Sequence, residues 1–180
     1  MKSFPLNKAF TFIEPGPVIL VSTADRGRQN IMTLSWTMVL DFTPRFAFMT
    51  GPWNHSCRAL LNTGECVIAI PTAEMSKTVV SIGACSGVDV NKFEKFKLTA
   101  VEGKYVKAPL IKECYANMEC RVADYIKKYG IFVLDAKAAW VDEKHREKRL
   151  LHAIGDGRFI VDGEKRNHRK LMLEKLPEGV

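Results

Sequence analysis

The amino-acid sequence predicts a mainly β protein with a few α-helices, in which an antiparallel sheet forms a closed or nearly closed barrel. Roughly six or seven apolar, β-branched segments are separated by turn residues, as in all-β folds. Only two substantial helical segments interrupt them. Because the strands do not alternate regularly with helices, a doubly wound parallel sheet is a poor fit. Closing the sheet would also remove its exposed edges.

The first strands are predicted from apolar segments on either side of polar turns. Residues 17–24 are apolar and β-branched, and residues 25–28 (Asp-Arg-Gly-Arg) are typical of a turn. A second strand is expected over residues 29 to about 39, so that the two form a hairpin. After a break at residues 41–44, the Phe- and Met-rich segment 45–50 predicts a third strand.

A helix is expected to begin just after this third strand. Gly51-Pro52 ends the strand. Asn54 or Ser56 is expected to cap the helix, because its side-chain oxygen can accept a hydrogen bond from a free backbone N–H. The helix should run to about Leu61, since residues 62–64 (Asn-Thr-Gly) are a typical C-terminal stop.

The rest of the chain continues the β pattern around one more substantial helix. Residues 65–71 predict a fourth strand, Thr72 is expected to cap a helix over residues 73–84, and residues 85–96 have the composition of a loop. Further strands are expected at 98–102, 114–126 and 131–142, and a short C-terminal helix at 166–176; residues 150–154 and 159–161 are short apolar segments.

Length, composition and charge limit the classes of function. The chain has 180 residues, 47% hydrophobic and 26% charged, which fits one domain over residues 1–180. A net charge of +7 suits nucleic acid, membrane surfaces or phosphorylated ligands. The basic residues near the C-terminus are interleaved with Glu and Asp, however, and no aromatic-rich basic stripe accompanies them. We therefore favour a solvated surface over a nucleic-acid-binding barrel.

The cysteines and the N-terminal segment indicate the compartment. The chain has 5 cysteines and no Cys-x-x-Cys pair, which argues against both a disulfide framework and a zinc ribbon. The first residues lack the apolar run of a signal peptide, and no segment approaches the length of a membrane span. We therefore expect the reducing cytoplasm and no membrane partner.

Several common catalytic motifs are missing from the sequence. There is no Gly-x-Gly-x-x-Gly fingerprint after the first strand, no Walker-type loop, no His-Glu-x-x-His and no Gly-x-Ser-x-Gly elbow. The 4 histidines have no ligand-like spacing. Metal catalysis and hydrolysis by a triad are therefore disfavoured.

The second predicted strand is a candidate surface for a flat ring. Met32, Thr33, Leu34 and Ser35 mix apolar and hydroxyl side chains. The backbone N–H and C=O groups of an exposed strand can pair with the polar edge of such a ring. The alternative is an ordinary strand whose hydroxyls face water.

The turn Asn54-His55-Ser56 is a candidate phosphate site. A helix start presents free N–H groups and a partial positive charge, both of which suit a phosphate. Ser56 adds a hydroxyl donor, Asn54 an amide and Arg58 a full charge. The alternative is a plain N-cap with Arg58 on the helix surface. A ring on the strand and a phosphate at the helix together indicate a flavin mononucleotide (FMN) site.

Other residues have both a functional and a structural interpretation. Lys92 lies in a polar loop and can either reach a ligand or remain solvated. His152, beside a Gly-Asp-Gly turn, can line a pocket or be a structural histidine. Trp36 and Trp53 can stack on a ring or fill the core. A helix N-terminus can lower the pKa of Cys57, but no base is evident nearby, so a nucleophilic role is disfavoured.

Several stretches, in their order and spacing, resemble the flavin reductase and flavoredoxin family, which has the FMN-binding split-barrel fold. They are residues 17–23, Asn30-Ile31-Met32-Thr33 with Trp36, Asn54-His55-Ser56, Asn62-Thr63-Gly64-Glu65, residues 86–93 and residues 152–163. The similarity covers most of the chain. It implies an antiparallel split β-barrel that forms a homodimer, with FMN held near the subunit interface.

The resemblance also implies how the cofactor is held. The phosphate is expected at Asn54 and Ser56, and Lys92 matches the family's loop lysine. Family members often carry Arg or Lys where this chain has Gly51-Pro52, and Arg58 is expected to replace that charge. The expected cofactor-binding residues are Asn30, Met32, Thr33, Leu34, Ser35, Trp36, Thr50, Asn54, His55, Ser56, Arg58 and Lys92, with His152 in the substrate pocket.

The function implied by the resemblance is that of an NAD(P)H-dependent flavin reductase or a flavoredoxin-like electron transfer protein. NADH or NADPH is the expected electron donor, and a redox partner protein is one candidate acceptor. The cofactor performs the transfer, so no side-chain acid or base is strictly required. Two alternatives remain: a non-catalytic carrier or sensor of FMN or another flat cofactor, and the basic nucleic-acid-binding barrel.

Overall fold

The computed structural model describes residues 1–12, 16–172 and 175–179, and most of its regular structure is β. The strands are Lys2–Phe4 (β1), Ile19–Asp25 (β2), Arg28–Leu34 (β3), Thr37–Val39 (β4), Arg45–Met49 (β5), Glu65–Ile70 (β6), Ala100–Val101 (β7), Leu110–Ile111 (β8), Ala116–Ile126 (β9), Ile131–Val141 (β10), Leu151–Ala153 (β11) and Phe159–Val161 (β12). The helices are His55–Thr63 (α1), Ser76–Gly83 (α2), Lys92–Lys95 (α3) and Arg169–Met172 (α4), with 3₁₀ turns at Leu6–Phe12 and Ala73–Met75.

Eight of the strands form one curled antiparallel sheet, a half-barrel. Their order is β3-β2-β6-β9-β10-β5-β4, with β1 also paired to β10. Within the described ranges no ladder joins β3 to β4, so the barrel is open between them. The predicted mainly β split-barrel class is therefore confirmed. In the same ranges, none of the helices has the length and apolar character that crossing a membrane requires.

The prediction of one continuous strand over residues 29–39 is wrong. The chain leaves one neighbouring strand at Ser35 and Trp36 and then pairs with another. β3 pairs with β2 as far as Leu34, whereas β4 pairs with β5, starting at Thr37. The carbonyl of Trp36 accepts a hydrogen bond from the Met49 N–H over 3.0 Å. One apolar segment thus contributes strands to both ends of the sheet. Its hydrophobic pattern cannot show that the partner strand changes.

The predicted hairpin turn is present, and a second tight connection joins β9 to β10. β2 and β3 form the expected hairpin, and its two central residues, Arg26 and Gly27, have φ of 49° and 77°. Positive φ at both positions is typical of a two-residue hairpin turn. Gly130, with φ of 66°, lies in the connection between β9 and β10.

Other elements differ from the prediction in extent. The expected loop over residues 85–96 ends in α3, because the Asn91 side chain caps it by accepting hydrogen bonds from the Phe93 and Glu94 N–H groups. The strand β1 was not predicted. The C-terminal helix is the short α4, and residues 173 and 174 of the predicted range lie outside the described residues.

The core lies on both faces of β2. On the inner face, Val21 joins a cluster that includes Phe48 and Phe132, whose ring centroids are 5.8 Å apart. On the outer face, Leu20 packs with Val79 and Ile82 of α2. Burial on both faces fixes α2 and the segment after it beside β3.

Candidate functional site

A cleft of about 250 Å³ opens where β3, the start of α1 and the segment after α2 meet. It is lined by Asn30, Met32, Thr33, Trp53, Asn54, His55, Ser56, Gly83, Ala84, Cys85, Ser86, Gly87 and Lys92. The fold thus brings the predicted strand, the predicted phosphate turn and the predicted lysine to one place. We call this surface the main cleft.

Asn30 of β3 and Ser56 of α1 are joined at the main cleft. Asn30 Nδ2 donates a hydrogen bond to Ser56 Oγ over 2.8 Å, and the two residues are only 6% and 1% exposed. The other end of the amide, Oδ1, is buried without a hydrogen-bond partner among the described residues. A buried polar atom without a partner costs free energy, so this oxygen indicates a place where a ligand donor can bind.

Gly87 approaches this amide closely because it has no side chain. A Cβ added at Gly87 would collide with Oδ1, Cγ and Nδ2 of Asn30. Arg28 adds two long hydrogen bonds from Nη2 to the carbonyls of Gly87 and Val88, over 3.4 and 3.5 Å. The segment after α2 therefore lies against β3 at a distance that only glycine permits.

Asn54 occupies the N-cap position of α1, but its side chain does not cap the helix. Its backbone is extended, with φ of −98° and ψ of 129°, and no side-chain capping bond is made. Nδ2 instead donates a hydrogen bond to Thr50 Oγ1 over 3.0 Å. The predicted capping bond is therefore wrong. Without it, the first N–H groups of α1 can donate to an anion, which the positive end of the helix dipole also favours.

Lys92 is a buried cation of the main cleft, and several positive charges surround His55. Lys92 is only 4% exposed, and its Nζ donates a hydrogen bond to the Ile82 carbonyl over 2.8 Å. Burial lowers the pKa of Lys92. Burial also lowers the pKa of His55, and the positive charges of Arg58, Arg28 and Lys92 lower it further. The positive charges around His55 favour an anionic ligand beside it.

The residues of β3 divide between the main cleft and the core. Met32 lines the cleft, and its sulfur lies 4.0 Å from the hydroxyl of the buried Thr50. Thr33 also lines it, but its hydroxyl donates a hydrogen bond to the Val79 carbonyl over 2.7 Å. Leu34 lies in the inner core. A ligand along β3 would therefore contact Met32 and Thr33 through side chains and Leu34 through its backbone.

The residues after β3 are exposed. Ser35 is exposed, and Trp36 is 63% exposed just before β4. Trp53 is 69% exposed and lines the main cleft. The alternative in which the two tryptophans fill the core is thus excluded. Cys57, in contrast, is buried, and burial raises its pKa, opposite to the direction that a helix N-terminus alone would produce.

Six of the predicted residues do not line the main cleft, namely Leu34, Ser35, Trp36, Thr50, Arg58 and His152. Arg58 lines a neighbouring cleft of about 420 Å³. His152, on β11, has Nε2 2.8 Å from Asp162 Oδ1 and Nδ1 3.3 Å from the Gly16 carbonyl oxygen. These contacts are those of a structural histidine.

Sequence reasoning missed the five residues 83–87 in the main cleft, and Arg26 and Arg28 beside it. The small residues 83–87 follow a helix, and such a run is a usable indication of close backbone approach. The two arginines were assigned only to a turn, because a hairpin pattern does not show which helix it will face.

Two further features of the described residues bear on where a ligand or a metal ion could bind. A larger depression of about 710 Å³, mainly along residues 100–107, contains none of the predicted residues. Its wall is held by the buried Glu119, which accepts hydrogen bonds from the Lys104, Tyr105 and Val106 N–H groups. In the described part of the chain, no three His, Cys, Asp or Glu residues are grouped to hold a metal ion.

Comparison with known proteins gives consistent findings. Residues 13–159 match the family model of the flavin reductase like domain. An uncharacterized protein of Archaeoglobus fulgidus is 42% identical over 101 residues, which cover 56% of this chain and 57% of that relative. This chain therefore matches little more than half of the archaeal protein's length.

Two solved structures are similar over most of their length. One is an FMN-binding domain of a flavin reductase-like enzyme from Shewanella baltica, at 26% identity and a TM-score of 0.85, with 92% of this chain and 96% of that chain covered. The other is flavoredoxin of Desulfovibrio vulgaris, at 24% identity and a TM-score of 0.78, with 84% and 89% covered.

Proposed function

Because the family match extends over more than half of its length, the chain belongs to the flavin reductase-like domain family, and we propose that it binds FMN in the main cleft. The observation that carries the proposal is the amide of Asn30, which is fixed by Ser56 and keeps one unpaired oxygen at the cleft. Such an oxygen suits an N–H or hydroxyl donor of a flavin. The Shewanella structure, described as FMN-binding, supports the same assignment.

The phosphate of FMN would bind at the start of α1. Ser56 Oγ accepts its hydrogen bond from Asn30, so its own proton remains available for donation to a phosphate oxygen. The uncapped N–H groups of α1 and the ammonium group of Lys92 add donors and positive charge. Asn54 and His55 complete the wall, and Arg58 contributes charge from the neighbouring cleft.

The ring of FMN would lie along β3, between Asn30 and Trp36. Met32 and Thr33 provide side-chain contacts, and Thr50 supports Met32 from behind. The exposed Trp36 offers an aromatic face near the same strand. Apolar and polar groups along this strand would match the apolar and the polar edge of the flavin ring.

We propose that a second copy of the chain covers the exposed edge of the sheet. β4 ends the order of strands, so one of its edges has no partner strand within the described residues. Large exposed side chains accompany it, namely Trp36, Met38, Leu40, Phe42 and Trp53. An unpaired edge with an exposed apolar patch is typical of an interaction surface. A homodimer would bury it and shield the ring site from water.

The proposed activity is NAD(P)H-dependent flavin reduction or flavoredoxin-like electron transfer. Bound FMN would supply the hydride and single-electron chemistry. The chain would bind the cofactor, fix its orientation and keep water from its ring, with no side-chain acid or base required. All five cysteines are free thiols, which supports the proposed location in the reducing cytoplasm.

An anaerobic reduction experiment tests the activity. The purified protein is loaded with FMN and mixed with NADH or with NADPH in the absence of oxygen. Loss of the visible flavin absorbance with either donor is the expected result. An unchanged spectrum with both donors would contradict the reductase assignment and favour a carrier or sensor.

A binding experiment tests the cofactor assignment itself. Apoprotein is titrated with FMN while flavin fluorescence is followed, and in parallel with a labelled single-stranded oligonucleotide. Saturable FMN binding without oligonucleotide binding is expected. Salt-dependent oligonucleotide binding without FMN binding would favour the basic nucleic-acid-binding barrel.

A further inference from the structure

Two cysteines that are far apart in the sequence lie side by side in the sheet. Cys66 of β6 and Cys120 of β9 are direct partners in the antiparallel register of these strands. Both are 0% exposed and belong to the inner core cluster, so their side chains lie on the same face of the sheet. Neither residue lines the main cleft, and the proposed function uses neither thiol. The sheet topology creates this pair, because β6 and β9 are neighbours in the sheet but not along the chain.

The separation of such partners suits a disulfide bond. Residues directly opposite each other in an antiparallel pair have Cα atoms about 4.5–5.5 Å apart, and disulfides join Cα atoms about 4.4–6.8 Å apart. Their Cβ atoms are about 4.5–5.5 Å apart, so closing the bond requires them to approach by about 1 Å. The register is continuous along the whole of β6, and the neighbouring pairs therefore hold Cys66 opposite Cys120.

The surroundings of the two thiols determine which oxidant can reach them. Burial raises the pKa of Cys120, and the adjacent Cys66 thiol raises it further, so the reactive thiolate is scarce. Because both residues are fully buried, a bulky oxidant such as glutathione disulfide cannot contact either sulfur in the folded protein. Hydrogen peroxide is small and uncharged, and local opening motions are enough to admit it. The pair should therefore be oxidised slowly, and only by small oxidants.

From the register and the shared burial we propose that Cys66 and Cys120 form a cross-strand disulfide when the folded protein is exposed to hydrogen peroxide. The thiolate of one cysteine attacks a peroxide oxygen, which gives a sulfenic acid and a hydroxide ion. The other sulfur then attacks the sulfenic sulfur, so that the S–S bond forms and a second hydroxide leaves. The two thiol protons convert these hydroxides to water. In total, two thiols lose two electrons, and one peroxide is reduced to two water molecules.

The disulfide should stabilise the folded protein. It would join β6 to β9, which lie away from both ends of the sheet. A cross-link between residues that are distant in the chain lowers the conformational entropy of the unfolded state. For a chain of this size, the melting temperature should rise by about 5–10 °C. The stability of the protein would thus depend on the redox state of one buried pair of cysteines.

The test begins with the fully reduced wild-type protein. It is incubated with hydrogen peroxide or, in parallel, with glutathione disulfide. Free thiols are then alkylated in denaturant, and the peptides are mapped by mass spectrometry without reduction. Peroxide should produce linked peptides that contain Cys66 and Cys120, whereas glutathione disulfide should produce few of them. The melting temperature of the peroxide-treated protein should rise as the linked peptides accumulate.

Three variants connect the linked peptides with the change in stability. Cys66→Ala and Cys120→Ala should each abolish both the linked peptides and the rise in melting temperature. Cys114→Ala is the matched control, because it removes an equally buried thiol that belongs to the outer core cluster. This control should retain both effects. The peptide mapping is done on the wild-type protein, so its result does not depend on how well a variant folds.

Three results would overturn the inference. One is a wild-type protein in which Cys66 and Cys120 remain free for alkylation after peroxide has oxidised the half-buried Cys85. Another is a disulfide between Cys57 and either cysteine, because Cys57 lies in the same core cluster and would then be the preferred partner. The third is an equal rise in melting temperature in Cys66→Ala, because the stabilisation would then come from a different oxidation.

Discussion

The side-chain amide of Asn30 donates a hydrogen bond to the hydroxyl of Ser56 over 2.8 Å, which joins β3 to the first turn of α1. One bond thereby connects the strand that would support the flavin ring to the helix start that would hold its phosphate. Both side chains are buried, so the bond is shielded from competing water. The spacing of the two proposed subsites therefore depends on this contact.

Gly87→Ala should weaken FMN binding by about tenfold or more, which corresponds to about 1.4 kcal/mol. The added Cβ would collide with the Asn30 amide, and that short, buried side chain can move only by breaking its bond to Ser56. Gly163→Ala is the matched control, since a Cβ there meets nothing within 4 Å. Fluorescence titration measures both variants. If Gly87→Ala and Gly163→Ala bound FMN with equal affinity, the position of the Asn30 side chain would not matter for FMN binding.

Ser56→Ala with Arg58→Ala should weaken FMN binding by a few kcal/mol at most. Each hydrogen bond to a charged group contributes roughly 1.5–3 kcal/mol, and the exposed Arg58 should contribute less than the buried Ser56. The same titration of the two single variants gives the separate contributions of Ser56 and Arg58 to FMN binding. Arg146→Ala controls for the lost charge. If the double variant bound FMN as well as the wild-type protein, the phosphate would lie elsewhere.

The stability of the protein without flavin should decline in mild acid because of His55. Burial and nearby cations lower the pKa of His55 from its usual 6.5. Above that value the residue is neutral in both the folded and the unfolded state. As the pH falls through it, the unfolded state binds the proton first, so the free energy of unfolding decreases until the folded state is protonated too.

His55→Gln removes this titration and provides the measurement. Urea unfolding of both proteins is followed at about pH 7.5 and about pH 5.5, on either side of the ordinary histidine pKa. The variant should lose less stability than the wild-type protein over this interval. A difference in unfolding free energy that stays constant with pH would argue against a lowered pKa of His55.

Cys85 should be the cysteine that reacts first with a maleimide. It is half-buried and lines the main cleft, whereas Cys57, Cys66, Cys114 and Cys120 are buried. FMN should slow the reaction, because the ligand would cover the thiol. Peptide mass analysis identifies the labelled cysteine, and Cys85→Ser should remove the rapid phase. Labelling at the same rate with and without saturating FMN would place the ligand outside the main cleft.

Much of the fold follows from local sequence patterns. The β2–β3 hairpin depends on the residues at 25–28, and the end of α1 on Gly64, which has φ of 65°. Both are short-range features, and both were predicted. The change of partner strand at Trp36 was not, because it depends on which distant strand supplies the Met49 N–H.

The placement of candidate residues at the main cleft agrees with the sequence where chemistry and turn geometry coincide, as at Ser56 and Lys92. The role of a side chain was not predictable where it can hydrogen-bond to another part of the protein instead. Asn54 donates to Thr50 rather than capping its own helix, and the Thr33 hydroxyl donates to the Val79 carbonyl rather than to a ligand. The position of Arg26 beside Arg58 in one cleft depends on α1 packing next to the hairpin, which is a tertiary contact that no local pattern encodes.

A crystal structure of the protein with bound FMN tests the central claim most directly. The account predicts the flavin ring against β3, from Asn30 to Trp36, and the phosphate within hydrogen-bond distance of Ser56 and the first N–H groups of α1. FMN bound elsewhere, with the main cleft filled by the protein's own side chains, would contradict the account.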